Sequence, residues 1–306
     1  MKDMFKAEDY KYNPEIKEDI TVGDIERAIE NDAILTGVGC RYEDDKLIIR
    51  ISKGIMGEMS KDEFGFSFSD YGNKTLPTVK VAREVCFIPS KIEEKENGKY
   101  IVTCSRKKAQ EKCYNEYINK LEVGQVIPAT VMRAESYGMF VDVGCGITGV
   151  VNIKNIRIPH VIDIEKEAKA NRHIYVIYTG RDDKGGIRLS HKELLGTWEQ
   201  EIERFEVGME VTGVVSSIAD FGVFIAISQN LCGLAEMEKH IEIEEGDTVR
   251  AKILSINNEK MKLKLKIIAK DEKMKTLKYK YYIKEGIIKN WSYSTEGSGK
   301  SIKTEF

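Results

Sequence analysis

A chain of 306 residues has room for two or three domains, and its 42% apolar and 32% charged residues allow hydrophobic cores under a well-solvated surface. With 48 Lys and Arg against 50 Asp and Glu the net charge is −2, which excludes the overall basic excess common in nucleic-acid binders but not a local basic groove. No run approaches the roughly 20 apolar residues of a membrane span, and Met1-Lys2-Asp3-Met4-Phe5-Lys6 leads into no apolar stretch.

Six cysteines, at 40, 86, 104, 113, 145 and 232, form no C-x-x-C pair and match no zinc spacing. They read as small buried apolar residues in a reducing compartment, so a soluble, cytoplasmic protein without bound metal is expected.

In chain order, residues 1–28 form an acidic N-terminal extension with 8 acids and 5 bases. Residues 29–108 read as a degenerate β unit: Ile34, Leu35 and Val38 open it, Lys46–Ile51 is a strand, Gly54 and Gly57 mark turns, and Val81–Ile88 and Lys99–Cys104 close it. Residues 109–120 form a helical linker, with Tyr114, Tyr117, Ile118 and Leu121 on one side of the segment that Ser105 opens.

Residues 121–191 and 206–268 are copies of one another. At a constant offset of 84, Gly124 matches Gly208, Val131 matches Val215, Gly138 matches Gly222, Phe140 matches Phe224 and Gly149 matches Gly233; Tyr137 and Phe221 are both aromatic. Residues 192–205 form a second helical linker, with Leu194, Leu195, Trp198, Ile202 and Phe205 at helical spacing. Candidate strands in the middle unit are Val126–Val131, Met139–Val143, Gly149–Ile153, His173–Tyr178 and Ile187–Ser190, with a helical stretch around Ile164–Asn171. Five short strands in about 70–80 residues predict an OB-type barrel. The fold expected is mainly β: three tandem five-stranded OB-fold barrels joined by short α-helical linkers. Residues 269–306 are left as a basic tail; from 259 to the end there are 13 bases and 6 acids.

The aromatic positions carry the functional reading. Side chains alternate along a strand, so Met139 and Val141 face the core and Phe140 faces outward, with Tyr137 beside it across Gly138. Phe221 and Phe224 repeat the arrangement. Two such rings are expected to form a flat platform on which unpaired bases stack; the same spacing also suits rings that plug a barrel end or pack on a linker helix. Lys260, Lys262, Lys264 and Lys266 alternate with Met261, Leu263, Leu265 and Ile267, giving a strand with a lysine face. That face either tracks phosphates or guards an edge strand against aggregation. Arg133, Lys154, Arg157 and Arg188 are scattered cations of the middle unit.

Two phosphate-loop patterns fail on context. Gly144-Cys145-Gly146-Ile147-Thr148-Gly149 fits G-x-G-x-x-G but continues as an extended run rather than a helix. Gly297-Ser298-Gly299-Lys300-Ser301 has Ser294 where the first glycine belongs, and a disordered tail is expected there. The histidines at 160, 173, 191 and 240 have no metal spacing. No catalytic residue, cofactor or small-molecule substrate is indicated, and the protein is read as a non-enzyme.

The order V-G…Tyr-Gly-x-Phe-Val…Gly-x-x-Gly…L-S-x-K resembles the RNA-binding repeat of the large bacterial small-subunit ribosomal protein, protein S-one. The resemblance covers the middle and last units well, the first poorly, and includes the linkers. It implies OB barrels, cytoplasmic location, and single-stranded RNA binding, with messenger RNA at the small ribosomal subunit as the expected partner. The family's stacking pair falls on Tyr137 and Phe140 and on Phe221 and Phe224. Its histidine position falls on Asn152 and on Glu236, whose charge would repel phosphate. Its arginine falls on Gly186, with Arg188 two residues on, and on Lys260. By the same analogy residues 1–108 would dock on the ribosome. The RNA-binding set implied is Tyr137, Phe140, Asn152, Lys154, Arg188, Phe221, Phe224, Lys260, Lys262 and Lys264. The rival readings are a protein-interaction scaffold and an accessory RNA-binding subunit of an RNA-degrading complex.

Overall fold

Three closed five-stranded barrels follow one another along the chain. The structure is a computed structural model that describes residues 5–8, 20–67, 76–237, 240–271 and 278–306. The first barrel comprises β1 (Leu35–Glu43), β2 (Lys46–Ser52), β3 (Ile55–Ser60), β4 (Glu84–Lys95) and β5 (Lys99–Ser105), joined around the cylinder in the order β1-β2-β3-β5-β4. Helix α1 (Val22–Glu30) precedes it, its first turn closed by a reciprocal cap between Thr21 and Asp24. Helix α2 (Arg106–Glu116) follows, capped by the Ser105 hydroxyl.

The middle barrel contains β6 (Val126–Glu135), β7 (Gly138–Asp142), β8 (Thr148–Asn152), β9 (His173–Arg181) and β10 (Ile187–Ser190). Between β8 and β9 the expected helix shrinks to α3 (Ile164–Glu167): Ala168 already leaves the helical conformation, at φ −101° and ψ 56°, and Asn171 turns left-handed at φ 64° two residues before β9. The second linker is likewise not one helix. A 3-10 turn over Lys192–Leu195 stops at Gly196, whose φ is 99°, and α4 (Trp198–Ile202) restarts after a Thr197 cap. The last barrel contains β11 (Glu210–Ala219), β12 (Gly222–Ala226), β13 (Cys232–Ala235), β14 (Thr248–Asn257) and β15 (Lys262–Asp271).

Each first strand pairs with two neighbours, and each carries a bulge at the same place: Gly39/Arg41, Val131/Arg133 and Val215/Ser217. A bulge adds twist and lets one long strand curl from one side of a small barrel to the other. This shared irregularity shows that residues 35–105 are built like the other two barrels, despite lacking their aromatic motif. Inward side chains fill each barrel, among them Leu47, Ile49 and Val85 in the first, Val131, Val141 and Val176 in the middle, and Val215, Ile225 and Leu265 in the last. All six cysteines are free; four are buried and two half-buried. Among the described residues no helix is long and apolar enough to cross a membrane.

The two chain ends depart most from what the sequence suggests. Residues 5–8 of the acidic extension lie in the junction of the first and middle barrels. Phe5 is buried and stacks on Tyr117 at 5.9 Å. Glu8 is fully enclosed: Arg106 donates to it from Nε and Nη2 at 2.8 and 2.9 Å, Lys80 approaches to 2.5 Å, and the Cys86 amide donates at 3.0 Å. The Glu8 amide in turn donates to Asp142 at 2.8 Å, and Asp142 also accepts from the amides of Gly144 and Gly146. Burial pushes the Glu8 carboxyl up, but Arg106 and Lys80 outweigh it and hold the group well below the usual carboxylate range. Asp142 goes the other way, raised to about 6 by burial and by the Glu8 charge. Residues 1–4 and 9–19 of the extension lie outside the described residues, and its last part forms most of α1.

Residues 278–306 are not a free tail. They run over the middle barrel, the second linker and the last barrel as a clasp. The Val126 amide donates to the Gly286 carbonyl and the Ile288 amide to the Gly124 carbonyl, both at 2.9 Å, making an antiparallel bridge between Ile287 and Gln125 at the start of β6. Trp291 and Tyr293 are buried in the core of the last barrel, and the Tyr293 hydroxyl donates to the Asn230 carbonyl. The clasp ends in a small hairpin of β16 (Asn290–Ser292) and β17 (Lys303–Glu305), so Gly297–Ser301 lies in its connecting turn rather than in a disordered tail.

The clasp also closes over His191 of the L-S-H-K segment. His191 is buried between the Ile156 carbonyl, 2.8 Å from Nδ1, and the Tyr281 hydroxyl, 2.9 Å from Nε2. Burial pulls its pKa down from 6.5 to about 4. The unfolded chain therefore binds a proton that the folded one refuses between those values, so stability falls as pH drops from 6.5 towards 4. The expected loss is about 3 kcal/mol. Urea midpoints at pH 6.5 and 4.5 should converge for His191→Gln relative to the parent protein; an unchanged gap between the two pH values would refute this.

Candidate nucleic-acid interface

The outward row of the middle barrel is fixed by register. Arg133 on β6 lies opposite Phe140 on β7, Phe140 opposite Val150 on β8, and Val150 opposite Arg188 on β10. The last barrel repeats it: Ser217, Phe224, Leu234 and Lys264 occupy the same row. This register pairs Arg188 with Lys264, a correspondence the constant sequence offset does not give, because the loops before the fifth strand differ in length.

Tyr137 and Phe221 sit in the β6–β7 and β11–β12 turns and are 51% and 69% exposed, while Phe140 and Phe224 are half-buried on the strands. Within each pair the rings meet edge to face, with centroids 5.8 and 5.9 Å apart and planes at 81° and 90°. The flat platform expected from sequence is therefore a right-angled corner. The reason is local: one ring comes from a turn and the other from a strand, and edge-to-face contact suits the aromatic quadrupole. Such a corner offers one ring face to stack on and a second ring at its side.

The two corners differ in charge. The Arg133 guanidinium lies 4.0 Å over the Phe140 ring, and Arg133 also pairs with Glu135 at 3.2 Å. Ser217 stands in its place beside Phe224. Arg188 pairs with Asp182 at 2.6 Å. Asn152 is exposed next to Gly138, and its side chain accepts from the Lys154 amide at 3.1 Å; Lys154 is also exposed. In the last barrel Glu236 reaches Lys264 at 2.9 Å, and this bond lowers its pKa. Both groups are exposed, so the pair is weak, but it neutralises the carboxylate that the sequence reading sets against phosphate. Lys262, Lys264 and Lys266 point outward from β15, with Lys266 opposite Lys252 on β14. Lys252 has no signal in the sequence pattern. Lys260 lies in the turn before β15 rather than on the strand, its amide bound to Asn257.

β15 lies between β13 and β14 of a closed barrel. It has no free edge to guard, which removes the aggregation-guard explanation of its lysines. Arg157, another scattered cation, is buried beside Glu167 and lies off the row. In the first barrel the row reads Arg41, Ile48, Glu58 and Thr103, with Asp45 at the turn position; no ring stands on it.

Residues 120–192 and 204–268, the middle and last barrels, match the family described as S1 RNA binding domain. The chain is 30% identical over 228 residues to a small ribosomal subunit protein bS1 homolog of Bacillus subtilis, covering 69% of this chain and 56% of that protein. It is 32% identical over 172 residues to small ribosomal subunit protein bS1 of Leuconostoc lactis, covering 52% of this chain and 39% of that one. A further relative is 4-hydroxy-3-methylbut-2-enyl diphosphate reductase of Clostridium acetobutylicum, 31% identical over 52% of this chain and 26% of that one. Among solved structures, a multidomain protein with nucleic acid binding domains from Streptococcus pneumoniae aligns over 77% of this chain and 73% of that one, at 16% identity and a TM-score of 0.25. The chain thus spans less than two thirds of the length of these curated relatives. The resemblance to ribosomal protein S1 read from the motifs holds.

Proposed function

We propose that the chain binds single-stranded RNA on the outer faces of its middle and last barrels, as a messenger-RNA-binding protein of the small ribosomal subunit. The observation that carries the reading is the repeated row: in both barrels an exposed ring corner lies in register with a cation on the fifth strand. Bases stack on the rings irrespective of sequence, and the cations meet the phosphates. The matched family is described as RNA binding, and two of the relatives bear names of the small ribosomal subunit. Tyr137, Phe140, Phe221 and Phe224 supply the stacking; Arg188, Lys154, Lys260, Lys262 and Lys264 supply charge; Asn152 supplies a hydrogen-bonding edge. The reading is of a binding protein, not an enzyme, working in the cytoplasm. The first barrel, with Asp45, Ile48 and Glu58 on its row, suits a protein contact with the ribosome better than RNA.

Salt dependence tests the charge component. Each phosphate contact contributes about 0.7 to the slope of log affinity against log salt for single strands. Removing Lys262 and Lys264 together by alanine substitution should lower that slope by about 1.4 in a fluorescence-anisotropy titration with a single-stranded oligonucleotide. An unchanged slope would remove the β15 lysines from the site.

A further inference from the structure

The two duplicated barrels present the same backbone edge, and only one is covered. In the middle barrel the Gly124 amide donates to Tyr178 and the Gln125 carbonyl accepts from Tyr178, so the Gly124 carbonyl and the Val126 amide point away from β9; the clasp binds both through Ile288 and Gly286. In the last barrel the Gly208 amide donates to Ile253 and the Met209 carbonyl accepts from it. The Gly208 carbonyl and the Glu210 amide therefore point outward in the same way, and among the described residues no strand lies beside them. The glycines have the same conformation, φ 89° at Gly124 and 91° at Gly208. A Cβ on Gly124 would come within 2.1 Å of the Ile288 carbonyl oxygen, whereas a Cβ on Gly208 would meet nothing within 4 Å. Gly124 and Val126 are buried, while all of Glu206–Glu210 is exposed, with Val207 at 63% and Met209 at 41%, next to Leu254 at 42%.

We propose that the edge of the last barrel at Val207–Glu210 takes an extended, lysine-bearing apolar peptide strand from another polypeptide. The chain supplies the precedent for the occupant. The segment bridged to the middle barrel is Gly286-Ile287-Ile288, flanked by Lys284 and Lys289. The open edge is flanked by Glu206 and Glu210, which complement such lysines, and Val207, Met209 and Leu254 offer the apolar surface. Backbone bonds to the Gly208 carbonyl and the Glu210 amide would hold the strand in register, with side-chain contacts selecting it. This site is distinct from the ring corner and does not depend on RNA binding.

The test uses a labelled peptide with the sequence of residues 283–290, Ile-Lys-Glu-Gly-Ile-Ile-Lys-Asn, titrated with the full chain. Saturable binding is expected. It should be lost in Val207→Asp/Met209→Asp, whose two positions are exposed, and kept in Phe221→Ala/Phe224→Ala. The amide resonances of Gly208 and Glu210 should shift on binding. Circular-dichroism melting confirms that each variant folds. No saturable binding to the parent chain overturns the proposal. So does binding that survives Val207→Asp/Met209→Asp, which would place the peptide on the middle barrel in exchange for the clasp. A parent chain that binds the peptide but no single-stranded RNA would sink the RNA reading and leave this one standing.

Discussion

Replacing Glu8 with Ala should destabilise the protein by about 3–5 kcal/mol, the range for breaking one partner out of a buried ion pair. Arg106 and Lys80 are each 2% exposed and both lie against the Glu8 carboxylate. Without it both buried cations lose the carboxylate that each of them contacts. The effect should be larger than for an exposed pair such as Lys46–Glu58, which is worth at most about 1 kcal/mol. Glu8→Gln should come close to Glu8→Ala, because the neutral amide keeps the shape but not the charge. The network spans the N-terminal segment, the first barrel through Lys80 and Cys86, α2 through Arg106 and the middle barrel through Asp142. The loss should therefore fall on the first two barrels. Both tryptophans, Trp198 and Trp291, pack in the last barrel, so urea unfolding should be followed by circular dichroism. A change below about 1 kcal/mol would mean that residues 5–8 do not seat as described.

The barrels were legible because their signals are local and repeated. The offset of 84 aligned glycines and apolar positions, and alternation along Lys262–Ile267 sorted core from surface. The outward placement of Phe140 and Phe224 followed from the same alternation. What failed was what alternation cannot carry. The bulges at Arg133 and Ser217 leave no compositional mark, and the turn position of Tyr137 and Phe221 set the rings at right angles. Gly196 broke a helix whose apolar spacing was otherwise regular. The correspondence of Arg188 with Lys264 needed the register of the parallel β8–β10 and β13–β15 pairs.

The ends were illegible for another reason. Tyr279, Tyr281, Trp291 and Tyr293 lie in a lysine-rich stretch without periodicity, so nothing marked them as core. Trp291 and Tyr293 are buried, and Tyr279 and Tyr281 half-buried, by partners far away in sequence, including His191 and Asn230. Glu8 is one acid among many in an acidic segment. Only the fold brings it to Arg106, 98 residues away.

The most direct measurement is the affinity of a single-stranded RNA oligonucleotide for the chain with Tyr137, Phe140, Phe221 and Phe224 all replaced by alanine. Each stacked base is worth roughly 1–3 kcal/mol. With one base on each corner, affinity should fall by about 2–6 kcal/mol while the salt slope set by the lysines stays. Tyr137 and Phe221 are exposed and Phe140 and Phe224 half-buried on the outer face, so the cores of both barrels should survive. Binding that keeps its full strength in this folded variant would contradict the account at its centre.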